Sequence, residues 1–266
     1  MLTADYHVHS ISPDAKVPME KMCEAALEKG LTEIAFTDHY EFYAHGVHRQ
    51  FFHEKYLEEY WKSLEYCRKE FAGSLIIRSG MEFGQLHLCR EEAFSIIEKY
   101  PFDYLIGSVH KIENVDLSKM EYTERTVPQI VESYYRHLSE LSAYGEYDCI
   151  GHLDLVKRHL VRCGFPVEEE QYREAIDQVL KNVIARGKGI EINTSGIRQH
   201  VGAAMPGIET LKRYKELGGS IVTVGSDAHR PQDVGADLDV AEQMLLEAGF
   251  TGVSTFVRRR PLHCFE

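Results

Sequence analysis

The sequence predicts a parallel α/β sheet closed, or nearly closed, into a barrel. Three observations carry this expectation. Short apolar runs rich in β-branched and aromatic residues alternate about seven times with longer segments whose apolar residues recur every three or four positions. The 266 residues suit one α/β barrel, and no Pro/Gly/Ser-rich linker or internal repeat divides them, so a single domain over 1–266 is expected. No glycine-rich phosphate loop follows the first strand, as it would in an open nucleotide-binding sheet.

The expected strands lie at 4–8, 33–37, 75–82, 103–109, 147–151, 189–193 and 220–225. An eighth short apolar run, 252–257, either completes the cycle or stands outside it. Helical spacing fills 18–30, 55–71, 90–99, 127–144, 169–187, 206–218 and 237–248. In the first of these, Met19, Met22, Ala26 and Leu27 form the apolar stripe. Gly30, Gly187, Gly218 and Gly249 stand where helices are expected to stop.

Composition narrows the function. The balance of 30 Lys+Arg against 42 Asp+Glu leaves a net charge of −12, which disfavours an extended nucleic-acid surface. The basic run Arg258-Arg259-Arg260 reads as a solvated tail. No apolar stretch reaches the ~18 residues of a membrane span. The opening Met1-Leu2-Thr3-Ala4-Asp5 is not a signal peptide, so the expected location is cytoplasmic. Cys23, Cys67, Cys89, Cys149, Cys163 and Cys264 form no C-x-x-C pair and are expected as reduced, mostly core residues.

The histidines are less ordinary. Each expected strand ends in a polar or metal-capable residue: His7 and His9, Asp38-His39, Glu82, His110, His152 with Asp154, Asn193, and Asp227 with His229. In α/β barrels the active site lies on this face. His7 and His9 are two apart, which places both on one face of a strand. Taken singly, each is as well explained by a solvated or core side chain. Seven strand ends converging on one rim are not. Imidazoles with carboxylates and no thiolate suit Zn²⁺, Mn²⁺ or Fe rather than Mg²⁺ or Ca²⁺. The donors are too many for one tetrahedral ion, so a cluster of two or three sharing a carboxylate is expected.

Asp5-Tyr6-His7-Val8-His9-Ser10, Thr37-Asp38-His39, Met81-Glu82, Ser108-Val109-His110, Gly151-His152-Leu153-Asp154 and Ser226-Asp227-Ala228-His229 resemble, in order, the motifs of the polymerase-and-histidinol-phosphatase (PHP) family. The resemblance runs from residue 5 to residue 230. It implies a distorted (β/α)₇ barrel with a trinuclear metal centre that hydrolyses phosphoesters. By motif, His7, His9, Glu82 and Asp227 would hold a first ion. Glu82 would bridge to a second, completed by His110 and His152. Asp14, His39 and His229 would hold a third, although Ser12-Pro13-Asp14-Ala15 also reads as a plain turn with Asp14 facing water. With two ions only, His39 and His229 become acid–base groups. His39, Asp227 and His229 are thus the candidate catalytic residues.

The chain is most similar to the histidinol-phosphatase subgroup, through its length, the segment 102–110, Gly151-His152-Leu153-Asp154-Leu155-Val156-Lys157-Arg158, and Glu191-Ile192-Asn193-Thr194-Ser195-Gly196. That similarity implies hydrolysis of L-histidinol phosphate by a metal-bridged hydroxide, with Arg158 and Arg198 as phosphate and substrate clamps. The partner is a small phosphate ester, with neither nucleic acid nor membrane expected. Another small phosphate ester or a nucleotide is the alternative reading, and a nuclease a further one. The loop Tyr40–His53, dense in aromatics, either tucks onto the barrel or closes over the substrate. In the second case Phe42 and Tyr43 would face the imidazole, and Glu41 or another polar group the ammonium.

Overall fold

The computed structural model describes residues 2–43, 54–166 and 169–263. The strands are β1 (Ala4–Val8), β2 (Glu33–Phe36), β3 (His39–Glu41), β4 (Ile76–Gly84), β5 (Tyr104–Ser108), β6 (Lys111–Ile112), β7 (Val115–Asp116), β8 (Cys149–Ile150), β9 (Gly189–Asn193), β10 (Val222–Gly225), β11 (Phe256–Val257) and β12 (Arg260–Pro261). The helices are α1 (Met19–Glu28), α2 (Glu54–Glu70), α3 (Arg90–Lys99), α4 (Val127–Tyr144), α5 (Val156–Arg162), α6 (Arg173–Ala185), α7 (Ser195–Arg198), α8 (Ile208–Glu216) and α9 (Leu238–Glu247). Sequence periodicity finds α1–α4, α6, α8 and α9. It misses α5 and α7, which at two turns or less are too short to show a period.

One sheet runs β1-β2-β4-β5-β8-β9-β10, with β3 also paired to β4, and the pairings are parallel. Its two edges meet just beyond β10. There His9 N donates to Ala228 O (2.9 Å) and Ala228 N to His7 O (3.3 Å). The sheet is therefore a barrel closed only at its upper rim, which is where the candidate ligands lie.

Alternation along the strands sorts the side chains. Outward residues such as Phe83, Leu105, Ile150, Ile190, Ile192, Val222 and Val224 join the helices in the main core. The lower interior is a separate apolar plug of Ala4, Tyr6, Ala35, Tyr104, Ile106, Cys149, Ile221 and Phe256. Tyr104 meets Tyr6 edge-on at 5.1 Å and Phe256 at 5.0 Å between ring centroids. Above the plug the interior turns polar: Ser108, Glu191, Asn193 and Thr223 are all buried.

The run 252–257 adds no barrel strand. Phe256 enters the plug, and β11 turns back antiparallel onto β12 beneath the barrel. This corrects the reading of Arg258-Arg259-Arg260 as a solvated tail. Arg258 N donates to Asp103 Oδ1 (3.1 Å), and the Arg259 guanidinium reaches Asp148 Oδ1 (3.0 Å). Burial pushes the Asp148 carboxyl up, and Arg259 and Lys188 oppose that shift. Cys23, Cys67 and Cys149 are buried thiols, Cys89 is half-buried and Cys163 exposed, all of them free; Cys264 lies outside the described residues. Among the described residues no helix is long and apolar enough to cross a membrane.

Replacing Arg259 by Ala leaves Asp148 buried with the Leu105 N–H at 2.9 Å and Lys188 at 3.7 Å as its partners. Because Lys188 persists, the expected loss is about 2 kcal/mol, below the usual range for a broken buried pair. Urea unfolding of Arg259→Ala measures it, and an unchanged midpoint would mean that the pair does not hold the hairpin.

Candidate metal centre

Each candidate ligand sits at the upper end of a strand or in the loop just beyond. In β1 a register shift between Asp5 and Val8 breaks the alternation. Tyr6 can then join the plug while His7 and His9 still enter the mouth. His152 and Asp227 both have positive φ, 24° and 54°, a region non-glycine residues seldom occupy and one that clusters at functional sites. Two buried carboxylates hold the loops in place. Asp38 accepts from Ser10 N (2.7 Å), Ser10 Oγ (2.6 Å) and Ser12 N (3.0 Å). Asp5 accepts from Ser226 N (2.9 Å), Ser226 Oγ (2.5 Å) and Gly235 N (2.9 Å). The first loop carries Asp14, and the second carries Asp227 and His229.

Glu82, fully buried, lies at the centre. Its Oε1 is 3.0 Å from His110 Nε2 and 2.9 Å from His152 Nε2, and it accepts from Ser108 Oγ at 2.7 Å. Its Oε2 faces the other way, 3.4 Å from His7 Nε2, 3.7 Å from His9 Nε2 and 2.7 Å from His39 Nδ1. Asp227 Oδ1 completes that second side, 3.7 Å from His7 Nε2 and 3.3 Å from His9 Nε2. Further out, Asp14 Oδ2 lies 3.2 Å from His39 Nε2 and 3.3 Å from His229 Nε2. Asp14 therefore turns toward the histidines rather than standing alone in a turn.

This donor set fits divalent ions. His7, Glu82 and His152 can each turn one donor atom to within 4.8 Å of the others, as can His7, His9 and Asp227, and His9, His39 and His229. His7 Nε2 and both ring nitrogens of His9 are buried without a hydrogen-bond partner. Polar atoms in that state are costly unless a cation or proton satisfies them. Burial would raise the Glu82 carboxyl, but His110, His39 and His7 together hold it well below its ordinary value. Burial would likewise lower His7, yet Glu191, Glu82 and Asp227 keep it well above its usual pKa. His39 is raised for similar reasons, and His110 is raised to about 9. His9, surrounded by imidazoles, is pushed down by burial and by His229 and His39.

Two further carboxylates orient the imidazoles. Glu191 Oε1 lies 2.6 Å from His7 Nδ1, and its Oε2 accepts from His152 N at 2.8 Å. Glu41 Oε1 lies 2.5 Å from His110 Nδ1, and its other oxygen pairs with Lys111. A carboxylate behind a ligating histidine fixes the tautomer and raises basicity. Glycines make the room: a Cβ at Gly225 would fall 2.2 Å from His7 Cβ, and one at Gly84 would fall 2.5 Å from the Glu41 oxygens. Sequence reasoning did not give either carboxylate this role. Glu191 carried a signal, a charged residue at an inward position of a buried strand. Glu41 is one candidate for a substrate ammonium if the loop closes over the substrate, but His110 and Lys111 already engage it.

A cavity of about 630 Å³ opens over the centre, lined by Asp14, His39, His110, His152, Arg158 and His229 among others. Arg158 Nη2 donates to Ser195 Oγ (2.7 Å) and lies 3.4 Å from Asp227 Oδ2. Arg198 differs from the expectation of a clamp. It donates to Ser226 O (2.6 Å), lies near Asp233 and Asp237 at 3.6 and 3.4 Å, and is not among the cavity's lining residues. Two carboxylates and a carbonyl draw it behind the loop that bears Asp227. Asp154 is buried against Lys157. Phe42 turns into the core between Tyr40 and Phe83, so it does not face a substrate. Tyr43 does line the cavity, beneath Lys111 Nζ at 5.2 Å. The rest of that loop, 44–53, lies outside the described residues.

A barrel whose rim gathers histidines and carboxylates from successive strands is the architecture of the PHP domain, and the chain belongs to that family: the PHP domain model matches residues 5–195. The chain is 29% identical over 262 residues to the histidinol-phosphatase of Lactococcus lactis subsp. lactis, covering 96% of this chain and 95% of that protein. It is 31% identical over 247 residues to a probable histidinol-phosphatase of Clostridium acetobutylicum, covering 90% and 91%. The crystal structure of histidinol phosphate phosphatase from Lactococcus lactis, complexed with zinc, L-histidinol and phosphate, superposes with a TM-score of 0.82. Identity there is 25%, over 98% of this chain and 99% of that one. The putative histidinol phosphatase of Listeria monocytogenes shares the fold, with a TM-score of 0.76 at 19% identity.

Two outcomes follow from this geometry. Glu191→Gln, which keeps the shape but removes the charge behind His7, should weaken metal binding ~10–100-fold, measured by competition with a chelator. Because His7, His39 and His110 hold protons above their usual pKa, a binding ion must displace them. Apparent zinc affinity of the stripped protein should therefore rise with pH, in part as His110 loses its proton near 9. Calorimetry in buffers of different ionisation enthalpy should show proton release, and a flat profile would contradict the protonated cage.

Proposed function

We propose that the protein is a phosphoric monoester hydrolase that converts L-histidinol phosphate to L-histidinol and phosphate, using two or three divalent ions of Zn, Mn or Fe. The observation that carries this reading is the divided aim of Glu82. One oxygen faces His110 and His152 while the other faces His7 and His9. This is what a carboxylate shared by two ions requires. In this reading His7, His9, Glu82 and Asp227 would hold one ion, Glu82, His110 and His152 a second, and Asp14, His39 and His229 a third. The ions, when bound, supply Lewis acidity toward water and phosphate oxygens.

The remaining work falls to the chain itself. Glu191 and Glu41 fix the ring orientations of His7 and His110. Arg158, on the cavity wall, turns a planar guanidinium toward the phosphate, which replaces Asp227 and Ser195 as its partner. In a two-ion form, His39 and His229, whose Nε2 atoms both face Asp14 Oδ2, would serve as acid–base groups toward the leaving alkoxide. Support for histidinol phosphate over other esters comes from the relatives: their sequences align over nearly the whole chain, and the Lactococcus structure holds L-histidinol and phosphate. The reading treats 1–266 as one barrel domain and carries with it histidine biosynthesis and a cytoplasmic location.

The test is a panel of phosphomonoesters, including nucleotides, assayed after chelation and again with Zn²⁺, Mn²⁺ or Fe²⁺ restored. Histidinol phosphate should lead in kcat/KM by at least ~10-fold, about 1.4 kcal/mol of selective transition-state binding. A leading nucleotide or other ester would replace the substrate assignment. In Glu82→Gln, metal content and turnover should fall together, turnover by more than ~100-fold. Near-normal turnover at full metal content would remove Glu82 from the bridging role.

A further inference from the structure

A second group of donor side chains lies away from the barrel mouth, where the turn after β4 meets α4. The 3₁₀ turn Leu86–Leu88 brings His87 Nε2 to 3.1 Å from Nδ1 of His137 on α4. Glu140 lies one turn beyond His137 on the same helix face. One donor atom from each of the three lies within 4.8 Å of the other two. His137 is only 4% exposed, and its Nε2, like Nδ1 of His87, has no hydrogen-bond partner.

A hydrogen bond between the two imidazoles accounts for part of this arrangement. It does not involve Glu140, whose neighbour is Arg136 on the same helix. Donors around a tetrahedral ion with bonds of ~2.0–2.1 Å stand about 3.3 Å apart, close to the separation of the two facing nitrogens. On the far side of the His137 ring, Glu113 Oε1 lies 3.8 Å from Nε2, too long for a hydrogen bond but near enough to favour positive charge there. Burial keeps both rings neutral, lowering His137 and taking His87 to about 3, so their lone pairs are available at ordinary pH. The competing cation is Arg136, half-exposed and 3.6 Å from Glu140, an ion pair weak enough to yield.

We propose that His87, His137 and Glu140 form a separate site for one divalent transition-metal ion of the zinc class, with water at the open position, and that the ion ties the turn after β4 to α4. The turn is worth tying. Gln85, two residues before His87, accepts from His110 N (2.5 Å) and Lys111 N (3.0 Å) and donates to Glu41 Oε2 (2.8 Å). An ion at His87 would thus brace the segment that positions His110 from behind, without touching the cavity. The proposal stands independently of the substrate.

The experiment fills the barrel mouth with zinc, desalts the protein, and titrates further Zn²⁺ while counting bound metal by emission spectrometry. Wild type should take up one ion per chain more than His87→Ala, and added zinc should raise its Tm but not that of the variant. Glu140→Gln, at a half-exposed position and keeping the fold by far-UV circular dichroism, should bind the extra ion at least ~10-fold more weakly. Equal ion counts and equal zinc affinities in wild type and Glu140→Gln would overturn the site. So would crystals soaked in zinc that show no anomalous peak between His87 and His137.

Discussion

A carboxylate sealed inside a barrel is costly unless it is surrounded by positive charge or hydrogen bonds, and Glu82 is both fully buried and held ionised. Much of the upper barrel is arranged to meet that requirement. Ser108 donates to one oxygen, and imidazoles from the ends of β1, β3, β5 and β8 press in from both sides. The register shift in β1, the positive φ of His152 and Asp227, and the missing side chains of Gly84 and Gly225 are local departures from ideal geometry. Each lets a charged or metal-capable group approach the same point. These particular departures lie at the rim, where functional sites tend to hold strained backbone, while positive φ also occurs at Arg258 and Arg259 in the floor hairpin.

The same alternation that makes the barrel stable divides its interior. On β5 and β8 the inward Ile106 and Cys149 of the plug are followed two residues higher by Ser108 and Gly151, while on β9 and β10 the inward Glu191 and Thr223 are already polar. The plug below excludes water from beneath, so the polar layer rests on a low-dielectric floor where its electrostatics are strong. The hairpin β11–β12, held by Arg259 on Asp148, closes that floor. Barrel floor and metal-binding rim are thus two levels of one pattern.

Much of this is legible in the chain. Residues 90–99 and 127–144 read as helices and are α3 and α4, because a sustained apolar stripe needs no tertiary information. The ligand candidates are legible because each follows a recognisable strand. What is hidden depends on partners distant in sequence. Glu191 is 184 residues from His7, and Glu41 is 69 from His110, so neither role can be read from local pattern. Arg198 follows a strand end as Arg158 does, and only the positions of Asp233 and Asp237 show that it turns elsewhere. Phe42 looks like an exposed loop aromatic until β3 pairs with β4 and carries it into the core. The basic run near the C-terminus is misread for the same reason, since Asp148 is more than a hundred residues away.

Exposure grades the candidate ligands and thereby separates their roles. Side chains of His7, His9 and Glu82 are wholly buried, and His152 nearly so at 3%. His110 is 13% exposed, His39 17%, His229 28% and Asp14 52%. Inner ligands are carried on or directly after strands and lock against one another. Asp14 sits in a loop held in shape by Asp38. An ion between the inner ligands is shielded from water, and its removal leaves buried charges uncompensated. At the outer position the same ligands can be hydrated when the ion leaves, so the free energy that retains it there is smaller. Under the proposed function, the gradient would let one ligand set serve with two ions or three. In that reading the inner pair would form a fixed floor, and the outer group, which lines the cavity together with Arg158, would be where an incoming phosphate meets the chain.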